Sequence, residues 1–245
     1  MLADYFKGLE SVLVAFSGGV DSSVLAKAAY ECLGEDAVAV TFDTPTLPRS
    51  EMMEARETAE HIGIRHVVVR YTELSNEDFR RNPDERCYYC KRMMSEKLKE
   101  VARELGVHSI VEGTTADELE GHRPGYRALQ EAGVLSPMAE LGLTKDDVRR
   151  MALEYGLRHD KPSGACLSSR IPSGTEITEE LLIKVEESED FLRSLGLSQV
   201  RVRVEGDCAR IETYRDDFPI VLEHAGEIVE ELPFKRVSLD LRPYS

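Results

Sequence analysis

The stretch Phe16-Ser17-Gly18-Gly19-Val20-Asp21-Ser22-Ser23 constrains this chain more than any other. Val12-Leu13-Val14-Ala15 leads into it and Val24-Leu25-Ala26-Lys27-Ala28-Ala29 leads out, a pattern that predicts a buried strand, a tight turn and a helix. Gly18 and Gly19 let the turn fold tightly and let a ligand approach the backbone. Free N–H groups at the helix start face the turn and favour an anion there. Ser17, Ser22 and Ser23 add hydroxyl donors in the same place. Asp21 is out of keeping with a bare anion site unless it caps the helix or holds a cation that the anion shares. A phosphate chain carried with magnesium satisfies all of these features together. No lysine follows the glycines, so the turn is neither Gly-x-x-x-x-Gly-Lys-Ser/Thr nor Gly-x-Gly-x-x-Gly.

Apolar runs at 37–42, 66–69 and 109–113 continue the pattern, with helical stretches at 50–62 and 86–105 between them. Strands alternating with long helices predict an α/β fold: a parallel sheet with helices on both faces. Ligands of such sheets sit beyond the carboxyl ends of the strands. That rule gathers the Ser17 turn, the Phe42-Asp43 strand end and Gly113-Thr114-Thr115-Ala116-Asp117 in one crevice. Asp117 reads equally as a carboxylate beside a metal and as a helix cap, and Phe42 and Asp43 each read equally as an ordinary strand end. Residues 71–85 are polar and read as irregular, 134–138 as a fifth strand ended by Pro137, and His122-Arg123-Pro124-Gly125 as a loop with two potentially cationic side chains. Thr144 is expected to cap a helix reaching Tyr155.

Five cysteines, an odd number behind no recognisable secretory signal, point to a reducing cytoplasm and to thiol or metal roles. No run approaches the length of a membrane span, so no membrane partner is expected. The net charge of −15 repels a long polyanion and leaves nucleic acid as a partner only through a local basic patch. Cys87 and Cys90 open the helix at 86–105 and share a face of it, where helix-start amides lower thiol pKa. The pair fits half a zinc site, a redox pair, cluster ligands or two buried thiols, and no second Cys-x-x-Cys or His pair completes a zinc set. In Lys161-Pro162-Ser163-Gly164-Ala165-Cys166-Leu167-Ser168-Ser169-Arg170-Ile171-Pro172 the prolines and small residues predict an ordered, exposed loop. Its thiol, with hydroxyl and cationic neighbours, suits a nucleophile or a ligand, and reads otherwise as a small apolar cysteine in a packed loop. Cys32 and Cys208 read as structural.

Beyond that loop the chain reads as helix 176–195, strands 199–205 and 209–213, helix 218–230 and strand 235–239. Two domains are expected, 1–163 and a smaller α/β domain at 164–245. Arg201 and Arg203 alternate along a strand and leave one face together, as partners for a carboxylate or phosphate. Arg201 taken alone reads as well as a scattered surface arginine.

Ser17-Gly18-Gly19-Val20-Asp21-Ser22 resembles the PP-loop signature of the ATP pyrophosphatases. The resemblance implies ATP with magnesium, cleavage between the α and β phosphates, adenine at Phe42 and Asp43, and Asp117 near the metal and phosphates. Together with Gly113–Asp117, the 86–91 and 165–172 segments, Val200-Arg201-Val202-Arg203 and Ala209-Arg210-Ile211-Glu212, it is similar to the LarE family of ATP-dependent sulfur transferases. That family adenylates a carboxylate of a pyridinium biscarboxylate mononucleotide and replaces its oxygen with sulfur, for the nickel-pincer cofactor of lactate racemase. The likeness implies a small anionic nucleotide-like substrate, held by Arg201 and Arg203 near Cys166, and a homo-oligomer. In the sacrificial form the sulfur comes from the position of Cys166, leaving dehydroalanine. Cys87, Cys90 and Cys166 instead make the three-cysteine set that in other members and in related tRNA thiolases holds a 4Fe–4S cluster, with one iron open to a sulfide from an external donor. A tRNA thiolase with the same chemistry, an amide-forming synthetase using ammonia and a non-enzymatic nucleotide-sensing or iron–sulfur storage protein are the alternatives.

Overall fold

In the computed structural model, residues 1–119, 123–160 and 164–244 are described; Glu120 to His122, Lys161 to Ser163 and Ser245 lie outside them. The strands are β1 (Val12–Ala15), β2 (Ala37–Asp43), β3 (Arg65–Arg70), β4 (Ser109–Val111), β5 (Val200–Glu205), β6 (Cys208–Thr213) and β7 (Arg236–Leu239). The helices in the first half are α1 (Leu2–Phe6), α2 (Val20–Leu33), α3 (Arg49–Ile62), α4 (Glu77–Arg80) and α5 (Arg86–Leu105). They continue with α6 (Pro124–Glu131), α7 (Pro137–Glu140), α8 (Lys145–Glu154), α9 (Glu179–Ser194), α10 (Phe218–Glu223) and α11 (Ala225–Glu231). Among the described residues no helix is long and apolar enough to cross a membrane.

Contacts divide the chain into two units: 1–73 with 85–164, and 74–84 with 165–245. In the first, four parallel strands stand in the order β3-β2-β1-β4. Alternation along them sorts side chains to opposite faces. Val12, Val14, Ala37 and Ala39 join α1, α2, α3 and α8 in one core, while Leu13, Val38, Val40 and Ile110 meet Leu98, Val101 and Ala102 of α5 in another. Both faces are therefore covered, and β1 and β2 are buried almost throughout. The expected fold class holds. Because β1 lies between β2 and β4, the strand order reverses beside it, and the turns leaving β1 and β4 flank that point.

The fifth strand shrinks to one parallel bridge, Val111 to Leu135, because Pro137 starts α7 two residues later. In the second unit β5 and β6 pair antiparallel, β7 joins β6 in parallel, and α9, α10 and α11 supply Leu192, Val221 and Ile228 to the core over them. The helix expected across 218–230 is two, broken at His224, whose φ of −96° and ψ of 15° interrupt the ladder.

Residues 71–85 are irregular only in part. Glu73–Ser75 forms a 3-10 turn, α4 follows, and Phe79 and Asn82 are fully buried. The side-chain partners of Asn82 lie about ninety positions further on, so a local reading finds only polarity: Asn82 Nδ2 donates to the carbonyls of Pro172 and Thr175 at 2.8 and 3.1 Å.

Candidate active site

The turn after β1 is shaped by its own hydroxyls. Ser22 Oγ accepts from the Ser17 N–H at 3.2 Å and stands 3.1 Å from Ser17 Oγ, while Ser22 and Ser23 donate to the Gly19 carbonyl at 3.1 and 2.8 Å. Gly19 is the N-cap of α2, so the helix amides open onto this turn. Gly18 has φ +74°, and a Cβ there would lie 2.6 Å from the Cα of Ala55 on α3. No other residue type fits without moving backbone. One residue upstream, the Phe16 carbonyl accepts from Thr41 Oγ1 at 2.7 Å, and Thr41 Oγ1 is 2.8 Å from His66 Nε2. With the hydroxyl proton spent on Phe16, His66 is the donor. Burial pushes the imidazole below its ordinary value, which keeps it neutral.

The loop after β4 comes to the same place. A Cβ on Gly113 would sit 3.2 Å from Asp21 C and from Ser22 N, so the chain leaving β4 lies directly on the first turn of α2. Burial pushes the Asp21 carboxyl up, Lys145 and Arg149 pull it back, and Glu118 and Asp117 oppose its ionisation. Glu118 accepts from the Thr115 N–H at 3.2 Å and pairs with Lys145 Nζ at 3.2 Å. Both oxygens of Asp117 accept from the Lys145 N–H at 3.1 Å, which is the geometry of a cap on α8. Thr144 caps the same helix as expected, through Asp147.

Phe42 is buried at the end of β2, edge-on to Tyr71 at 5.1 Å. Asp43 is engaged by Arg49 and Arg70, and the Arg49 guanidinium above all holds its carboxyl below the usual range. Cys87 and Cys90 stand one turn apart at the start of α5, the first exposed and the second half-buried. Alongside them, Arg127 of α6 stacks on Tyr88 at 4.5 Å and Tyr88 donates to Glu131 at 2.6 Å. Among the described residues no group of three or more His, Cys, Asp or Glu is gathered closely enough to hold a metal ion.

Cys166 belongs to the second unit. Its thiol is exposed, 3.0 Å from Ser168 Oγ, at the head of a 3-10 turn (Leu167–Arg170). Leu167, Ser168 and Arg170 are buried, so the segment is a clamped turn with one exposed thiol, not an exposed loop. Arg170 makes the clamp. It donates from Nε and Nη2 to the two oxygens of Glu189 at 2.8 and 3.1 Å, and from Nη1 to the carbonyls of Ala165 and Cys166 at 2.6 and 3.2 Å. Arg203 adds an Nη1 bond to the Ser169 carbonyl at 2.6 Å and an Nε bond to Glu212 at 2.9 Å. Arg201 leaves the same face of β5 and stacks 4.6 Å over the Tyr244 ring. Burial pushes its guanidinium pKa down.

Residues 7–164 match the family described as asparagine synthase. An uncharacterized protein of Synechocystis sp. is 41% identical over 99% of this chain and 93% of its own length. The pyridinium-3,5-bisthiocarboxylic acid mononucleotide synthase of Lactiplantibacillus plantarum is 35% identical over 96% of this chain and 87% of its own. The chain belongs to the LarE family of PP-loop ATP-dependent sulfur transferases. A more distant likeness, to the argininosuccinate synthase of Natronomonas pharaonis, is 28% identity over 94% of this chain and 59% of that one.

Within this LarE-type chain the structure brings Ser17, Gly18, Gly19, Asp21, Ser22 and Ser23 together with Gly113, and places Arg203 on the turn that carries Cys166. Sequence reading missed Glu189, which is wholly buried within an acidic helix. The signal was there: Leu182, Val185, Glu189 and Leu192 recur at helical spacing, so one carboxylate stands on the apolar stripe. Glu118 and Lys145 were passed over because only tertiary packing sets them beside Asp21. His122 and Lys161 to Ser163, named from sequence, lie outside the described residues.

Proposed function

We propose that the chain uses ATP to activate a carboxylate of a pyridinium-type mononucleotide and then replaces an oxygen of that carboxylate with sulfur. The observation that carries this is the match along nearly the whole chain to a relative named as a pyridinium-3,5-bisthiocarboxylic acid mononucleotide synthase. The geometry supports it: a hydroxyl-lined turn at a helix start beside a half-buried carboxylate, and an exposed thiol on a clamped turn.

Amides and hydroxyls of 17–23 hold the phosphates, and Asp21 supplies the carboxylate for the magnesium that travels with them. Gly113 lets backbone approach the nucleotide, with Phe42 beside the adenine and Asp117 holding the loop at its far end. A substrate carboxylate oxygen attacks the α phosphorus, the bond to the β-phosphate oxygen breaks, and pyrophosphate leaves with that electron pair. A sulfur nucleophile then attacks the acyl carbon and AMP leaves with the electron pair of its carbon–oxygen bond. Arg201 and Arg203 hold the anionic substrate by carboxylate or phosphate.

Two sources of sulfur fit the chain. In one, the Cys166 thiolate attacks; loss of its α proton then breaks the Cβ–S bond and leaves dehydroalanine, with sulfur on the product. In the other, Cys87, Cys90 and Cys166 would hold a 4Fe–4S cluster, to which three soft thiolate donors are chemically suited. Such a cluster would supply a site for sulfide from an external donor. Of the two we favour the second, because Cys87 and Cys90 have no task in the first.

The experiment follows pyrophosphate release, thiolated product and protein mass together. Asp21→Asn should slow magnesium-dependent pyrophosphate release by about thirtyfold to a thousandfold, equivalent to about 2–4 kcal/mol of lost transition-state stabilisation. Anaerobically reconstituted protein should carry about four irons per chain and lose them when any of Cys87, Cys90 or Cys166 becomes serine. Colourless protein that loses the mass of one hydrogen sulfide per turnover would establish the first route and remove the cluster. No pyrophosphate release with any pyridinium carboxylate would remove the function.

A further inference from the structure

We infer that Asn82 is a positioning residue for sulfur transfer: within the second unit it pins the segment that carries Cys166. The inference rests on the reading above, in which that thiol serves the second half of the reaction.

Asn82 is 0% exposed and has φ +54°, the single non-glycine positive φ among the described residues. Asparagine tolerates that conformation better than most residues. Its Nδ2 group has two protons and faces three carbonyls: Pro172 at 2.8 Å, Thr175 at 3.1 Å and Ile171 at 3.3 Å. Its own carbonyl accepts from the Gly174 N–H at 2.8 Å. Two residues earlier, the Arg80 carbonyl accepts from the Ile177 N–H at 2.8 Å and the Arg80 guanidinium donates to Glu176 at 2.8 Å. The strap 74–84 and the segment 171–177 are therefore laced by main chain and side chain alike, inside the second unit.

Two features take this beyond ordinary packing. The strap gives no residue to the apolar core over β5, β6 and β7, so its bonds serve the segment it touches and not that sheet. Chain connectivity then makes the anchor short-tethered to the thiol. Cys166 precedes Ile171 by five residues. Five residues reach at most about 17 Å fully extended. Little of that is slack, because Ser169 N–H bonds back to the Cys166 carbonyl at 2.9 Å and Ile171 N–H to Ser168 at 3.2 Å. A carboxamide at position 82 thus sets where the segment that carries Cys166 is held.

The test compares wild type with Asn82→Gly, which keeps the positive φ and removes the clamp, and Asn82→Asp, which keeps the shape and removes the donors. Hydrogen exchange read by mass spectrometry should speed up across 165–177 while β1, β2, β5 and β6 stay protected. Thiolated product formed per pyrophosphate released should fall about tenfold to a hundredfold, as for a misplaced nucleophile. The KM for ATP should stay within about twofold, since nothing at the Ser17 turn changes. Unchanged protection of 165–177 would overturn the inference. So would a parallel fall in pyrophosphate and product, the mark of a merely structural residue. Wild-type protein that releases no pyrophosphate would instead defeat the functional reading, and the exchange of 165–177 would still decide whether Asn82 anchors the thiol segment.

Discussion

Glu189 offers the sharpest test of how the Cys166 turn is held. Its carboxylate is 0% exposed and its main partner Arg170 is 5% exposed, joined by two parallel bonds of 2.8 and 3.1 Å. It also accepts from the Val202 N–H at 3.0 Å and from Arg193 at 2.9 Å. Replacing Glu189 with leucine takes the counter-charge of that carboxylate from a buried guanidinium, a loss of about 3–5 kcal/mol. The orphaned Val202 amide pushes the cost towards the upper end of that range. Whole domains hold only about 5–15 kcal/mol, so the second unit should be close to unfolding. Arg193→Ala, at a residue 36% exposed, should cost about 0–1 kcal/mol. Combining Glu189→Leu with Arg170→Met removes both charges, and the pair should recover at least about 2 kcal/mol relative to Glu189→Leu alone. Urea unfolding followed by far-ultraviolet circular dichroism measures all four proteins. A Glu189→Leu variant no weaker than Arg193→Ala, or a double variant no more stable than Glu189→Leu alone, would refute the reasoning.

Gly18→Ala should lower stability by about 1–3 kcal/mol, because the new methyl meets the Ala55 backbone at a positive φ, and it should weaken ATP binding; thermal unfolding and calorimetric titration check both. Asp147 is held down to about 2 by hydrogen bonds from Thr144 and Arg150. A depressed carboxyl stabilises above its unfolded pKa and loses that contribution as pH falls through the folded one, so Asp147→Asn should flatten the loss of stability seen between about pH 5 and pH 2. Arg203→Lys should fail to restore what Arg203→Ala loses in sulfur transfer, since an ammonium cannot span Glu212 and the Ser169 carbonyl as the planar fork does; product yield in the two variants decides this.

The first unit was legible because its signals are local. β1, the turn and α2 follow from apolar runs and glycines within twenty residues, and the buried two-faced sheet follows from the alternation of elements. The strap 74–84 was not legible, because the side chain of Asn82 is bonded to residues far along the chain and nothing in its neighbourhood carries a period. Cys166 was found as an exposed thiol, but its surroundings were misjudged. Small and proline-rich sequence suggests exposure, whereas Arg170 draws the turn inward onto a carboxylate that local sequence does not pair with it.

The two arginines of β5 show how a residue found for one reason acquires another. Their alternation marks them as anion partners, and both do leave one face. Arg203, however, already spends Nε on Glu212 and one Nη on the Ser169 carbonyl, so its guanidinium carries the main chain of the Cys166 turn. Arg201 is differently placed, flat on Tyr244 and with its charged form disfavoured by burial. An anion arriving beside Arg201 offsets that cost of burial, whereas one arriving at Arg203 competes with Glu212. The cost of moving a carboxylate aside makes Arg203 the weaker docking point of the two. Any anion that engages it must also act on the turn that carries Cys166.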